Sequence, residues 1–289
     1  MSFNTLGLSS ELKNAIKDKG YISPSDIQLQ AIPSIIKGND IMARAQTGTG
    51  KTAAFALPIL LKFQKDESKR RRVRALVLVP TRELASQVGD SFRSYGNNLR
   101  FRTTTLYGGV SINTQIDKLR KGVDIVVATP GRLLDHLDRR TLDLSELEVF
   151  VLDEADRMLD MGFIRDIKKV LKYLPKKKQN LLFSATFPKE IKALADSLLN
   201  SPKRIQVASN NSTVDKVTQV VYPVDKARKR ELLTYCIKEE NWFQVLVFKR
   251  TKHGANKLAG QLNKEGIDAV AFHGNKSQAA RTRALKDFK

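Results

Sequence analysis

Cysteine is almost missing from this chain: Cys236 stands alone among 289 residues. A single thiol excludes an internal disulfide framework and any multi-cysteine zinc site, and it suits the reducing cytoplasm. Cys236 itself sits on an apolar pattern and is expected to be a buried small hydrophobe. Long apolar runs are missing too. No stretch approaches the ~18 residues that a membrane span requires. The opening Met1-Ser2-Phe3-Asn4-Thr5 shows no basic region followed by an apolar core, so neither a secretory leader nor a membrane partner is expected. The three histidines, His136, His253 and His273, lack the spacing of a metal site and read as ordinary structural or surface residues. Acidic residues are few. Thirty Asp+Glu face 51 Lys+Arg, a formal net charge of +21, with +13 up to Val207 and +8 from Ala208 onward. The excess is therefore not one basic tail on a neutral domain. It points first to a polyanionic partner, nucleic acid above all, although a generally cationic surface has the same composition.

What is present is a regular alternation. Short apolar runs predict strands over residues 40–43, 75–79, 102–106, 124–128, 149–152 and 180–184. Between them, helical patterns occur over residues 9–19, 53–63, 82–95 and 164–173. Buried strands alternating with helices imply an α/β fold, a parallel sheet with helices on both faces. Such sheets bind ligands at the carboxyl ends of their strands. The apolar pattern stops at Val207-Ala208-Ser209-Asn210-Asn211-Ser212, which divides the chain into a first domain over 1–207, a linker over 208–215 and a second domain over 216–289. In the second domain strands are expected over 218–223, 245–248 and 269–272, and helices over 229–239, 252–265 and 278–289. Three such units do not close a doubly wound domain, so the second domain is expected to be incomplete. Two basic clusters, residues 69–72 and 176–178, read as solvated loops, with RNA contact as the alternative.

The segment Ala45-Gln46-Thr47-Gly48-Thr49-Gly50-Lys51-Thr52 follows a predicted strand and opens a predicted helix. Glycines let successive backbone N–H groups curl around an anion, and the helix N-terminus adds positive potential. Lys51 reaches β- and γ-phosphates, and the Thr52 hydroxyl suits Mg²⁺. Ala45 stands where such loops usually begin with glycine. A second element comes from Val149-Phe150-Val151-Leu152, an apolar strand ending in Asp153-Glu154-Ala155-Asp156. A carboxylate at that tip, Asp153, suits a metal, and its neighbour Glu154 suits a proton taken from water. Alone, this polar run would read as a helix cap; beside a phosphate loop, the catalytic reading is the better one.

Asp153-Glu-Ala-Asp together with the loop at Ala45–Thr52 resembles the DEAD-box ATP-dependent RNA helicase family. Gly20-Tyr21-Ile22-Ser23-Pro24-Ser25-Asp26-Ile27-Gln28 is similar to that family's adenine-reading motif, with Ser25-Asp26 in place of the usual Thr-Pro. Pro80-Thr81-Arg82-Glu83-Leu84-Ala85, Gly108-Gly109 and Thr129-Pro130-Gly131-Arg132 resemble its RNA-binding motifs, and Ser184-Ala185-Thr186 its coupling motif. In the second domain, the run ending at Phe248 and Ser277-Gln278 through Arg281 resemble early motifs. Residues 157–163 and 250–256 look most like bacterial RhlE proteins within the family. The resemblance covers essentially the whole chain, but the family's later motifs, which include an arginine finger, would lie past Lys289.

The resemblance implies two RecA-like domains, the second partial, and a cytoplasmic RNA helicase that uses ATP and Mg²⁺. It implies that Gln28 reads adenine, with Tyr21 nearby and Phe3 stacked on the ring; a purely packing Phe3 is the alternative. Residues Ala45 through Thr52 would hold the nucleotide, Thr52 and Asp153 the metal, partly through water, and Lys51, Asp153 and Glu154 the catalysis. Asp156 with Ser184 and Thr186 would couple nucleotide state to RNA. Pro80, Thr81, Arg82, Gly108, Gly109, Thr129, Pro130, Gly131 and Arg132, with Phe248, Gln278 and Arg281, would hold the RNA sugar-phosphate without reading bases. For Arg82 an internal ion pair with an acid near Glu154 stands beside the RNA reading. A nucleotide-binding module without efficient turnover is the rival for this chain alone.

Overall fold

The computed structural model describes residues 2–64, 71–207 and 218–288. The chain divides into two compact units, Met1–Asn210 and Asn211–Lys289. The linker expected over 208–215 and the first half of the 69–72 basic cluster lie outside the described residues.

In the first unit the strands are β1 Ile41–Arg44, β2 Ala75–Leu78, β3 Thr103–Leu106, β4 Ile125–Ala128, β5 Val149–Asp153, β6 Gln179–Ser184 and β7 Lys203–Gln206. Among the described residues they form one seven-stranded sheet in the order β3-β4-β2-β5-β6-β1-β7, every pairing parallel. Strands β2, β4, β5 and β6 are buried at every position. That is why they read as continuous apolar runs: a strand covered on both faces has no polar side to show. Edge strand β7 was not expected. Only Ile205 of its four residues is buried, so it carries almost no apolar signal and is recruited by pairing with β1.

The helices are α1 Ser10–Asp18, α2 Asp26–Ile36, α3 Lys51–Gln64, α4 Arg82–Tyr95, α5 Ile112–Arg120, α6 Pro130–Asp138, α7 Ala155–Asp160, α8 Ile164–Leu171 and α9 Lys189–Leu198. Two apolar layers separate them. On one face α1 to α4 pack against Val77, Ile125, Val127, Val151 and Phe183. On the other α6 to α9 pack against Leu76, Leu78, Val126, Phe150, Leu152 and Leu182. The alternation of inward faces along each strand produces both layers. The centre of the first layer is α3, apolar nearly all round and buried along its length. Its Phe55 ring lies 5.4 Å from Phe183 and 6.1 Å from Phe92, and burying such a ring stabilises by about 1.5–3 kcal/mol.

Asp40 was expected to open β1 but stands just outside it. Its carboxylate accepts from the Asn180 N–H (2.8 Å), the Asn200 N–H (2.8 Å) and Asn180 Nδ2 (3.2 Å). A buried carboxylate so occupied ties the amino end of β6 to the approach to β7. Lys176 and Lys177 are solvent-exposed just before β6, so this basic cluster lies at the amino end of the sheet.

The second unit contains α10 Lys229–Glu239, α11 Lys252–Lys264 and α12 Gln278–Phe288. The strands expected over 218–223, 245–248 and 269–272 are not formed. Their apolar side chains stand in solvent, with Val221 89% exposed, Phe248 87% and Val270 68%. Among the described residues of this unit only Cys236 and Leu262 are buried. A strand is held by ladder partners and by a layer to pack against, and here the three segments have neither.

Candidate functional site

The loop from Ala45 to Gly50 leaves β1 and enters α3. The Ala45 N–H donates to the Ser184 carbonyl (3.0 Å), which fixes the loop's start beside β6. Gly48 and Gly50 have φ of +84° and +88°, a region that glycine alone enters without cost. Gly50 also has no room for a side chain: a Cβ there would lie 2.5 Å from Gln28 Nε2 and 3.0 Å from Ser25 Oγ. Ser25 Oγ donates to the Thr49 carbonyl (2.7 Å), and Gln28 Nε2 to that of Gly50 (3.2 Å). Gln28 Oε1 accepts from the Ser25 N–H (3.0 Å). The start of α2 therefore braces the loop through residues 25 and 28, while Asp26 is exposed. Gln28 keeps one further N–H and one lone pair.

Lys51 Nζ lies 3.9 Å from Asp153 Oδ1, with the two side chains 6% and 3% exposed. The ammonium has no hydrogen-bond acceptor among the described residues. A buried cation with three unused donors is costly unless something anionic meets it. Beside glycine-freed backbone amides at a helix N-terminus, that something fits a phosphate. Burial pushes the Asp153 carboxyl up to about 6, although the Lys51 charge works against the rise. No cluster of three or more His, Cys, Asp or Glu among the described residues could hold a metal alone. Thr52 and Asp153 suit Mg²⁺ all the same, since this ion is held by one or two protein oxygens with phosphates and water.

Glu154 has φ +54° and ψ +52°, the left-handed region, which a non-glycine residue enters only when its surroundings hold it there. Its N–H donates to Asp153 Oδ1 (3.0 Å). Two residues on, Asp156 Oδ2 accepts from the Thr186 N–H (2.8 Å) and Oγ1 (2.9 Å), while the Asp156 N–H donates to Ser184 Oγ (3.1 Å). Ser184 Oγ donates in turn to the Thr186 carbonyl (2.7 Å). Burial raises the Asp156 carboxyl, but these bonds together hold it below its ordinary value. The structure thus joins Asp156, Ser184 and Thr186 across the tips of β5 and β6.

The other half of the sheet carries the remaining motifs. Thr81 caps α4 by accepting from the Leu84 N–H (3.2 Å). Arg82 lies over Gly108 and Gly109; at Gly109, φ +79°, a Cβ would overlap its guanidinium. Among the described residues Arg82 makes no ion pair, so the internal pairing considered for it is not found. Thr129 and Pro130 open α6, with Gly131 exposed behind them. Arg132 reaches back to the loop of Gly108 and Gly109. Sheet order decides this grouping: the tips of β1, β5 and β6 adjoin each other, and so do those of β2, β3 and β4.

Other expected residues are not part of these two groups of contacts. Phe3, 6% exposed, belongs to the core, which favours its packing role. The Tyr21 hydroxyl sits 3.3 Å from that of Tyr95 at the far end of α4. Phe248, Gln278 and Arg281 belong to the second unit, where the Arg281 guanidinium donates to the Gln278 side chain. His136 is buried, as a structural histidine, and its contact with Gln115 beside Arg132 was not expected. The available signal was Gln115 itself, a polar residue inside the apolar stripe Ile112, Ile116, Leu119 of α5.

Comparison with known proteins decides the family. The family described as DEAD/DEAH box helicase matches residues 25–194, and the helicase conserved C-terminal domain matches residues 228–289. This chain belongs to the DEAD/DEAH box helicase family. A DEAD-box ATP-dependent RNA helicase, RhpA of Helicobacter pylori (strain ATCC 700392 / 26695), is 41% identical over 288 residues, covering 100% of this chain and 58% of its own length. Another, CshA of Bacillus cereus (strain ATCC 10987 / NRS 248), is 41% identical over 288 residues, covering 100% and 54%. The crystal structure of a DEAD box protein from the hyperthermophile Methanococcus jannaschii matches with a TM-score of 0.68 at 40% identity, covering 100% of this chain and 77% of that one. The chain thus spans a little over half the length of the curated relatives it matches. In this DEAD/DEAH box chain the Asp-Glu-Ala-Asp run occupies residues 153–156, at the tip of β5. No helix among the described residues is long and apolar enough to cross a membrane.

Proposed function

We propose that this chain carries the nucleotide-binding half and part of the second half of a cytoplasmic ATP-dependent RNA helicase. The observation that supports it most is Lys51, a buried ammonium with no acceptor of its own, held 3.9 Å from Asp153 beside a glycine-freed loop. Backbone amides from Gly48 to Thr52 bind the phosphates, and Lys51 takes the charge of the terminal one. Thr52 and Asp153 would hold Mg²⁺, which would supply neutralisation of phosphate charge. Glu154 is the general base. Its carboxylate takes a proton from the attacking water, a role worth about 10²–10⁴-fold. Gln28 braces the loop and reads the adenine edge with its remaining N–H and lone pair. Asp156, Ser184 and Thr186 carry a change at the tip of β5 to that of β6.

RNA lies along the tips of β2, β3 and β4, on residues 80–82, 108–109 and 129–132. Backbone amides and hydroxyls there meet sugar and phosphate, so binding is independent of sequence and weakens with salt.

A second reading has its own support. The described residues of the second unit contain three helices, no strand and two buried side chains. A chain in that state binds nucleotide, and RNA weakly, without efficient turnover. One experiment separates the two: RNA-stimulated phosphate release by this chain beside one extended to the length of its relatives. The helicase reading expects stimulation in the longer chain and little in this one. Absence of stimulation in both would overturn it.

A further inference from the structure

Helix α5 follows the Gly108-Gly109 loop, and among the described residues its one buried side chain is Gln115, 4% exposed. The amide is fully engaged. Nε2 donates to the Tyr107 carbonyl (3.0 Å), while Oε1 accepts from Arg132 Nη1 (3.1 Å) and faces His136 Nε2 at 3.0 Å. A carbonyl only accepts and a guanidinium only donates, so the orientation of the amide is settled, and His136 must donate through Nε2–H. Its Nδ1 lies 2.8 Å from Thr141 Oγ1, a hydroxyl that also lies 3.1 Å from the His136 carbonyl, so both ends of the ring are held. His136 is completely buried.

Arg132 is occupied in the same way. Nη1 and Nη2 each lie 3.2 Å from the Val110 carbonyl, and Nε lies 3.6 Å from Asp135. With its side chain 12% exposed, little of this fork is left to meet a phosphate. Arg82 is different: it makes no ion pair among the described residues and rests against Gly108 and Gly109. Tyr107 and Val110 bracket those two glycines. Gln115 and Arg132 therefore clamp both ends of the surface on which the Arg82 guanidinium sits.

We propose that Arg132, Gln115 and His136 are positioning residues, a buried clamp that sets the 107–110 loop, and that Arg82 is the cation of this patch that meets RNA phosphate. This rests on the reading of residues 80–82, 108–109 and 129–132 as the RNA surface, and it reassigns Arg132 within that surface.

Salt dependence separates a contact from a clamp. Each phosphate contact contributes about 0.7 to the slope of log affinity against log salt for a single strand. Binding of a short single-stranded RNA to the 289-residue chain is measured by fluorescence anisotropy across a salt series. Arg82→Gln is expected to lower the slope by about 0.7. Arg132→Gln, Gln115→Leu and His136→Leu are expected to weaken binding about 3- to 10-fold, as for a lost hydrogen bond, with the slope unchanged. His136→Gln, which restores an N–H toward Gln115, is expected to recover most of the affinity. A fluorescent ADP analogue should bind the Gln115 and His136 variants as it binds the parent.

Three results would overturn the proposal. A slope reduced by Arg132→Gln makes that residue a direct contact. Parental RNA affinity in both Gln115→Leu and His136→Leu removes the clamp, and loss of nucleotide affinity in both makes their role general packing. Parental affinity and slope in Arg82→Gln and Arg132→Gln together would instead sink the RNA reading of the patch itself.

Discussion

Lys51 and Asp153 come from segments a hundred residues apart, yet Nζ and Oδ1 stand 3.9 Å from each other with both side chains nearly out of water. At that distance the pair is an electrostatic contact and not a hydrogen bond. The ammonium is left without a hydrogen-bond acceptor among the described residues. Lys51→Ala is expected to weaken nucleotide binding by about 10- to 100-fold, the worth of a charged hydrogen bond. Titration with a fluorescent ADP analogue checks it, and parental affinity would remove Lys51 from the phosphate site.

Gly50 is held at φ +88° with Gln28 Nε2 where its side chain would go. Gly50→Ala is expected to lower stability by about 1–3 kcal/mol through backbone strain and to displace Gln28 from the loop. Denaturant melts with nucleotide titrations would show both losses together. An unchanged melt would mean that the loop relaxes freely.

Glu154→Gln keeps the shape of the side chain and removes its ability to take a proton. In a chain extended to the length of its relatives, nucleotide affinity is expected to stay near the parent's while phosphate release falls about 10²–10⁴-fold. Turnover within a few-fold of the parent would show that Glu154 is not the base.

His136 sits between Gln115 and Thr141 as a neutral ring. Burial first, and then the Arg132 charge, hold its pKa below 6.5, with Asp135 opposing and Arg139 adding to the shift. A group whose folded pKa is depressed contributes stability above its unfolded value and loses it as pH falls through the folded one. The parent is therefore expected to lose thermal stability between pH 7.5 and pH 5 by more than His136→Gln does. Parallel melting curves across that range would contradict the assignment.

Much of the site could be read along the chain because it is local. Gly48, Gly50, Lys51 and Thr52 lie within eight residues that join a strand to a helix, and a phosphate loop makes its demands on backbone and side chain within such a span. Strands β2, β4, β5 and β6 were legible for a related reason, since burial on both faces leaves an unbroken apolar run. Edge strand β7, with one buried residue, left no such trace. The expected strands of the second unit had the apolar pattern but not the partners, and their side chains remain in solvent.

By itself the sequence determined the phosphate loop, the Asp-Glu-Ala-Asp tip and the α/β alternation, because each is set by spacing along a few residues. Tertiary structure alone decided that β1, β5 and β6 adjoin while β2, β3 and β4 adjoin, so that one edge of the sheet carries two neighbouring groups of motifs. It also decided that Arg132 turns inward to Val110 and Gln115 while Arg82 lies over the glycines. Two arginines in similar motifs look alike in sequence. Which one spends its donors inside the protein depends on the carbonyls that distant segments bring to it, and periodicity carries no record of those.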